Sequence, residues 1–332
     1  MNCLVTGGGG FLGAALAERL LKEGHEVSVL GRNNYPGLNS KIRQIKADIK
    51  DKKAVLDAVE GMECVFHSAA VPGIWGSYTD YYNTNVLGTQ NIIDACQEHE
   101  VKRLIFTSSP SVIYDMQDQS GLDESAPFPK NYLCHYPATK AIAEKLVSSA
   151  DGISGVRTLS IRPHLIWGPG DPHLIPRLID KAKNRKLVQV GGGRNKVDMV
   201  YIDNAVECHI LADKALASDP DKVGGKAYFV SDDRPVELWK WVGRLLSSLK
   251  IPEVERRIPY RMAYILGLIV EGVYGILNKK EEPPITRFVA GQLATDHYYD
   301  IARAKNDLNY VPVVSPEDGF KKMIEYFNQR PA

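Results

Sequence analysis

Two short stretches carry side chains whose types and spacing suit proton transfer to a carbonyl oxygen. His135-Tyr136-Pro137-Ala138-Thr139-Lys140 sets a phenol and an ammonium four residues apart, on one face if the stretch is helical. A free phenol titrates near about 10 and is a poor proton donor at neutral pH, but a neighbouring ammonium favours phenolate and draws that value down. Hydride reduction of a ketone needs a proton on the oxygen as it becomes alkoxide, so Tyr136 is the expected donor and Lys140 the residue that tunes it. The second stretch is Phe106-Thr107-Ser108-Ser109-Pro110-Ser111. Ser109 is expected to hold the reacting oxygen against Tyr136, while Ser108 and Ser111 suit the capping of a turn. A Tyr-x-x-x-Lys spacing is common, so its meaning depends on the elements around it.

Those elements alternate. Short β-branched runs at 3–6, 27–30, 42–48, 64–67, 104–108 and 158–162 predict strands, and amphipathic stretches at 12–23, 53–59, 85–98 and 136–149 predict helices. Strand-helix alternation with short connections predicts a doubly wound parallel α/β sheet. Between the first strand and first helix runs Thr6-Gly7-Gly8-Gly9-Gly10-Phe11-Leu12-Gly13, in which Gly7, Gly10 and Gly13 have the spacing of a dinucleotide cradle. The backbone there must turn tightly, approach a pyrophosphate with no Cβ in the way, and offer the unpaired N–H groups of a helix start to the anion.

The type of dinucleotide is read at the end of the second strand. Val29-Leu30-Gly31-Arg32-Asn33 lacks the acid that would accept from a ribose 2′-hydroxyl, and a guanidinium follows at once. Arg32 suits a 2′-phosphate, so NADP(H) is expected over NAD(H), though a solvated surface arginine fits the same position. Asp48, beside Ile49, suits either the adenine amino group or a helix cap.

Composition narrows the classes further. The chain has 332 residues, a net charge of +1 and 44% hydrophobic residues, which argues against nucleic-acid binding and against disorder. Cys3, Cys64, Cys96, Cys134 and Cys208 are scattered, with no Cys-x-x-Cys pair. Free buried thiols in a reducing compartment are expected, with no disulfide framework and no metal site. No export signal is visible at the start, so a cytoplasmic protein is expected.

Together with Asp48, His67-Ser68-Ala69-Ala70, Asn85, Arg162-Pro163 and Gly168-Pro169-Gly170-Asp171, these motifs resemble the extended short-chain dehydrogenases/reductases over nearly the full chain. The resemblance implies a Rossmann-type NADP(H)-binding domain over 1–165 that carries Ser109, Tyr136 and Lys140. A smaller substrate lobe over 166–332 would interleave with the last sheet strands. It further implies that Phe11, Leu12, Ile49, Ala69, Ala70, Asn85 and Pro163 serve the cofactor side, Asn85 by supporting the active-site helix. Lys140 would also bond the nicotinamide ribose, and two long helices, 85–98 and 136–149, would form a homodimer.

Within that superfamily, nucleotide-sugar epimerases keep an arginine where this chain has Val197 in Val197-Asp198-Met199-Val200-Tyr201, which argues against a sugar nucleotide. Ile161-Arg162-Pro163-His164 and Gly170-Asp171-Pro172 are similar to the 3β-hydroxysteroid dehydrogenase group, sterol-4-carboxylate dehydrogenases included. Trp75-Gly76-Ser77-Tyr78, Ile166-Trp167 and Pro283-Pro284-Ile285-Thr286-Arg287-Phe288 are similar to bacterial 2-alkyl-3-oxoalkanoate reductases. The resemblance implies reduction of the 3-oxo group of a hydrophobic β-keto acid, or its reverse. A 3β-hydroxysteroid or sterol-4-carboxylate dehydrogenase, an epimerase and an inactive dinucleotide-binding regulator are the alternatives. Trp75, Tyr78, His164 and Trp167 are expected at the greasy substrate, with His164 or Arg287 meeting its carboxylate. The apolar stretch 262–277 contains Glu271 and is shorter than the roughly 20 residues a membrane span needs. A buried helix, a lid over the pocket and a helix lying on a membrane all fit it.

Overall fold

A computed structural model describes residues 1–329. Asn2–Thr6 (β1) is buried from Cys3 onward, as a central strand covered on both faces must be. It pairs with Glu26–Gly31 (β2) on one side and Cys64–His67 (β4) on the other. Arg43–Lys46 (β3), Arg103–Thr107 (β5), Arg157–Pro163 (β6) and Ala227–Val230 (β7) complete the sheet, every pairing parallel. The order is β7-β6-β5-β4-β1-β2-β3. The direction of winding therefore reverses between β1 and β4, and a crevice opens beyond the carboxyl ends of those strands.

Alternate residues of β1 face opposite layers. Cys3 and Val5 join the core beneath Phe11–Lys22 (α1) and Ile202–Ser218 (α5), whereas Leu4 joins Val55, Ile92 and Val147. Those three belong to Lys52–Val59 (α2), Gly88–Glu98 (α3) and His135–Ser149 (α4). This is the doubly wound Rossmann-type sheet predicted from the alternation. The third strand is shorter than expected, because Asp48 turns back to accept from the Lys50 backbone at 3.0 Å. The helix predicted from Asn85 begins earlier, as a π-helical stretch Tyr82–Leu87 that runs into α3. All five cysteines are free and buried.

The two halves of the chain exchange segments. The strand β7 and helix α5 come from beyond residue 166 and complete the large sheet. In return Gln119–Leu122 pairs with His297–Tyr299, in a smaller sheet that also holds Lys196–Val197 and Val236–Glu237. The last residues of the expected 166–332 lobe, 330–332, lie outside the described residues. Tyr260–Ile276 (α6) covers the smaller part, packed against Arg287–Gln292.

Candidate active site

The crevice is a groove of about 580 Å³. Gly7, Gly10, Phe11, Leu12 and Gly13 line it, with Arg32, Asp48, Ile49, Ala69, Ala70, Ser109, Tyr136 and Pro163. The cradle is a place where side chains do not fit. Gly7 has φ +70°, and a Cβ there would stand 2.9 Å from the backbone of Ala69. A Cβ on Gly13 would overlap the carbonyl of Gly7. Helix α1 starts at Gly10 with no side chain capping its N–H groups, which leaves them for an anion. Beneath the cradle His67 bonds Thr6 Oγ1 at 2.7 Å and Thr89 Oγ1 at 3.0 Å. Burial and the charge of Lys140 push His67 down to about 3, so it is a neutral strut.

The reacting groups stand on two elements. Ser109 ends the turn after β5, where its hydroxyl meets Ser111 Oγ at 2.9 Å and accepts from the Ser111 backbone at 3.2 Å. The Ser109 hydroxyl also acts on the phenol of Tyr136, one residue into α4, and both line the groove. The turn-capping role expected of Ser108 or Ser111 thus falls to Ser109, and Ser108 Oγ is buried with no partner among the described residues. Lys140, one turn on from Tyr136, is buried under the groove floor. Its Nζ donates to the Thr107 carbonyl at 2.5 Å and lies 3.9 Å above the Phe106 ring. Burial pushes Lys140 down to about 7, against the pull of Glu144 a turn further along. Glu144 is itself held by Arg162, at 2.5 and 2.9 Å.

Burial also pushes Tyr136 up to about 12, with the Ser109 hydroxyl opposing. The expected downward pull of Lys140 on Tyr136 is therefore not what the protein alone displays. Burial makes Lys140 give up its proton more easily than Tyr136 gives up its own.

Asn85 stands outside the groove lining, and its bond to α4 is the support of the active-site helix expected of it. Its side chain accepts from Val71 N at 2.8 Å and donates to Thr139 Oγ1 at 3.0 Å, pinning the loop after β4 to α4. Trp167 is a core residue, edge-on to Tyr201 and Trp241 with its indole N–H on Asp232, because its two-residue strand pairs with Val200–Tyr201 inside the lower lobe. His164 follows the central strand β6, is covered on both sides and bonds His297 at 3.2 Å. Burial holds it well below its ordinary value, so it offers no imidazolium to a carboxylate. Arg287 is engaged by Glu271 at 2.7 Å. Trp75 donates to the Lys279 carbonyl at 3.0 Å, and Tyr78 stands edge-on to His135. Both belong to the segment leading away from the groove's Val71 and Pro72.

Other groove residues went unmarked in the sequence. Tyr35 lies across Gly9 and Gly31, where any Cβ would overlap its ring. Of the two glycines that the phosphate spacing does not require, Gly8 is closed in by the Val29 side chain and Gly9 by the Tyr35 ring, and that surplus was the available signal. Leu165 reaches the groove by taking φ 43°, a left-handed conformation that turns the chain so that Leu165, not His164, faces the cavity.

The sheet order and crevice define a Rossmann-type fold with a ligand groove at its switch point. A UDP-glucuronic acid 4-epimerase from Bacillus cereus, solved in complex with NAD, superposes with a TM-score of 0.75 at 22% identity, covering 99% of each chain. The chain belongs to the 3-beta hydroxysteroid dehydrogenase/isomerase family, which it matches over residues 4–260. A 2-alkyl-3-oxoalkanoate reductase from Stenotrophomonas maltophilia is 45% identical over 327 residues, 97% of this chain and 98% of its own. A decarboxylating sterol-4-alpha-carboxylate 3-dehydrogenase from Mus musculus is 33% identical over 332 residues, 98% of this chain and 91% of its own.

Proposed function

We propose that this protein is a nicotinamide-dependent oxidoreductase that uses NADP(H) to reduce the 3-oxo group of a hydrophobic 2-alkyl-3-oxo acid to the 3-hydroxy acid. The observation that carries the reading is that Ser109 and Tyr136 both stand on the wall of one glycine-cradled groove. The reductase name of the 45% identical relative supports the substrate class. The names of the relatives and the family support the broader class of oxidoreductase.

The residues fit a dinucleotide. Gly7, Gly10 and Gly13 form a wall in which a Cβ on Gly7 or Gly13 would strike backbone, and uncapped N–H groups of α1 point into it. Ile49 and Asp48 would flank the adenine, and Ala69, Ala70 and Pro163 the rest of its length. Arg32 stands exposed at the groove edge beside Gly31, with no carboxylate at the end of β2 to repel a 2′-phosphate. A bound reduced nicotinamide supplies the hydride.

The chain's own work is on the oxygen. Ser109 donates to the carbonyl oxygen and orients it. As the carbonyl π pair moves onto oxygen, Tyr136 gives its proton there. Tyr136 is raised by burial, so at neutral pH it holds the proton that reduction requires. Lys140, one turn further along α4, holds the Thr107 carbonyl on the strand that leads to Ser109. The test is paired: NADPH oxidation with a 2-alkyl-3-oxoalkanoate, and NAD+ reduction with a 3β-hydroxy-4-carboxysterol. Turnover in the first assay is expected. Turnover in the second alone would move the substrate to the sterol class.

A further inference from the structure

A 3-oxo acid carries a charge as well as a reacting carbonyl, and a single carbon separates its carboxylate from the 3-oxo carbon. Whatever holds that carboxylate must therefore stand close to Ser109 and Tyr136. The two side chains expected to meet it are engaged elsewhere. His164 is buried against His297, and Arg287 is held by Glu271. Lys140 is buried too, with its ammonium on the Thr107 carbonyl.

Among the described residues that line the groove, only Arg32 and His173 can carry a positive charge. The order of the sheet separates them. Arg32 follows β2, which lies three strands from β5, beyond β4 and β1. Neighbouring strands are about 4.8 Å apart, so that end of the groove is roughly 14 Å from the turn that holds Ser109. A carboxylate one carbon from the hydride acceptor does not span that distance. His173 comes from the opposite direction. β6 lies beside β5, and the Ser108 backbone donates to the Ile161 carbonyl at 2.6 Å. The chain that leaves β6 builds a wall of the groove, with Pro163, Leu165 and Ile166 followed by Asp171, His173 and Leu174. Its course depends on φ +148° at Gly168 and +84° at Gly170, conformations that other residues rarely adopt.

This wall fixes the backbone of His173 and leaves its ring free. Asp171 accepts from the backbone of His173 at 2.8 Å, of Leu174 at 3.1 Å and of Ile175 at 2.8 Å, where the helix Leu174–Lys183 begins. The first N–H groups of that helix are thereby taken, and the Asp171 charge rests on them. The imidazole is exposed and has no partner among the described residues. Such a ring meets a carboxylate through an N–H when neutral and through a charge-assisted bond when protonated.

We propose that the His173 ring binds the carboxylate of the 2-alkyl-3-oxo acid, and so selects the acid over its ester. The proposal rests on the reaction proposed above and names the residue that reads the acid. A cofactor phosphate is the rival ligand, because the same wall passes Phe11, whose ring would stand 4.0 Å from a Cβ on Gly170. The pyrophosphate already has the uncapped N–H groups of α1, whereas His173 is the one cation-forming side chain of the described groove lining on the β6 side.

The test follows NADPH oxidation by the full chain with a 2-alkyl-3-oxoalkanoate and with its methyl ester, beside a fluorescence titration of NADPH. The wild type should favour the acid. His173→Ala should raise the KM for the acid by about 10- to 100-fold and leave kcat within about threefold. The KM for the ester and the affinity for NADPH should move by less than about twofold, and the melting temperature should not change. His173→Arg should recover most of the loss on the acid, a rescue that a merely structural role does not give. Equal use of acid and ester by the wild type overturns the proposal, as does an acid KM that His173→Ala leaves unchanged. Weakened NADPH binding in His173→Ala also overturns it, and gives the ring to the cofactor phosphate. A wild type that binds NADPH but reduces neither acid nor ester sinks the proposed reaction and this proposal with it, a result distinct from the other three.

Discussion

The glycine cradle and helix α6 use the same device for opposite ends. At Gly7 and Gly13 the missing Cβ keeps backbone close to backbone and leaves N–H groups facing a cavity. At Gly267 it lets a helix sink onto Thr286 and Arg287, which leaves the helix's other face in solvent. The first opens a site and the second docks an element. What distinguishes them is the neighbour each glycine meets, and that neighbour is close in sequence only partly for the cradle and never for α6.

The sharpest break between the two regions is chemical. Tyr136→Phe should lower turnover by about 10³-fold and leave dinucleotide affinity within about twofold, read by steady-state kinetics and by fluorescence titration. Equal losses in both would make Tyr136 a wall of the groove and no more. Next comes the pair Gly7→Ala and Gly267→Ala. Each should cost roughly 2–4 kcal/mol of unfolding free energy, since neither facing backbone can yield. Only Gly7→Ala should also abolish dinucleotide binding. If Gly267→Ala does so too, the two regions are coupled and the comparison fails.

Arg32→Ala sharpens the cradle alone. It should weaken NADPH by about 10- to 100-fold and NADH by less than about twofold, measured by titration of both cofactors on the variant. Equal affinities in the wild type would return Arg32 to the solvated surface.

The smallest effect concerns Lys140. Its folded value, about 7, lies below its unfolded value of 10.5, so between the two the unfolded chain binds the proton that the folded chain releases. The wild type should therefore gain stability over Lys140→Met as pH rises from 7 to about 10, by at least ~1 kcal/mol, with the full penalty present below 7. Denaturant curves of the ligand-free proteins read this directly. A flat difference would mean that Lys140 keeps its charge on the Thr107 carbonyl.

Much of the sheet could be read from the chain. Residues 3–6, 27–30, 64–67 and 104–108 show themselves because strands covered on both faces need uninterrupted apolar runs. The groove's dinucleotide half was equally legible, since Gly7, Gly10 and Gly13 act through backbone geometry within one turn and one helix start. The substrate half was not. Trp75, Tyr78 and Trp167 read as pocket or core aromatics and His164 as a partner for the carboxylate, and none of them lines the groove. An aromatic's type says that it will be covered, but not by what. Trp167 went to the core because Tyr201 and Trp241 close on it, and His164 went inside because Leu165 took the turn.

The amino-acid sequence by itself determined the strand-helix alternation, the cradle and the Tyr136–Lys140 spacing, because each depends on residues within a few positions of one another. Tertiary structure alone decided that Ser109 and Tyr136 share one groove, that Lys140 rests on Thr107 and Phe106, that Tyr35 walls the cradle, and that one side of α6 is left uncovered. Those outcomes join residues far apart in the chain, and burial, which shifts proton affinities and hides or exposes a face, exists only after distant segments have packed.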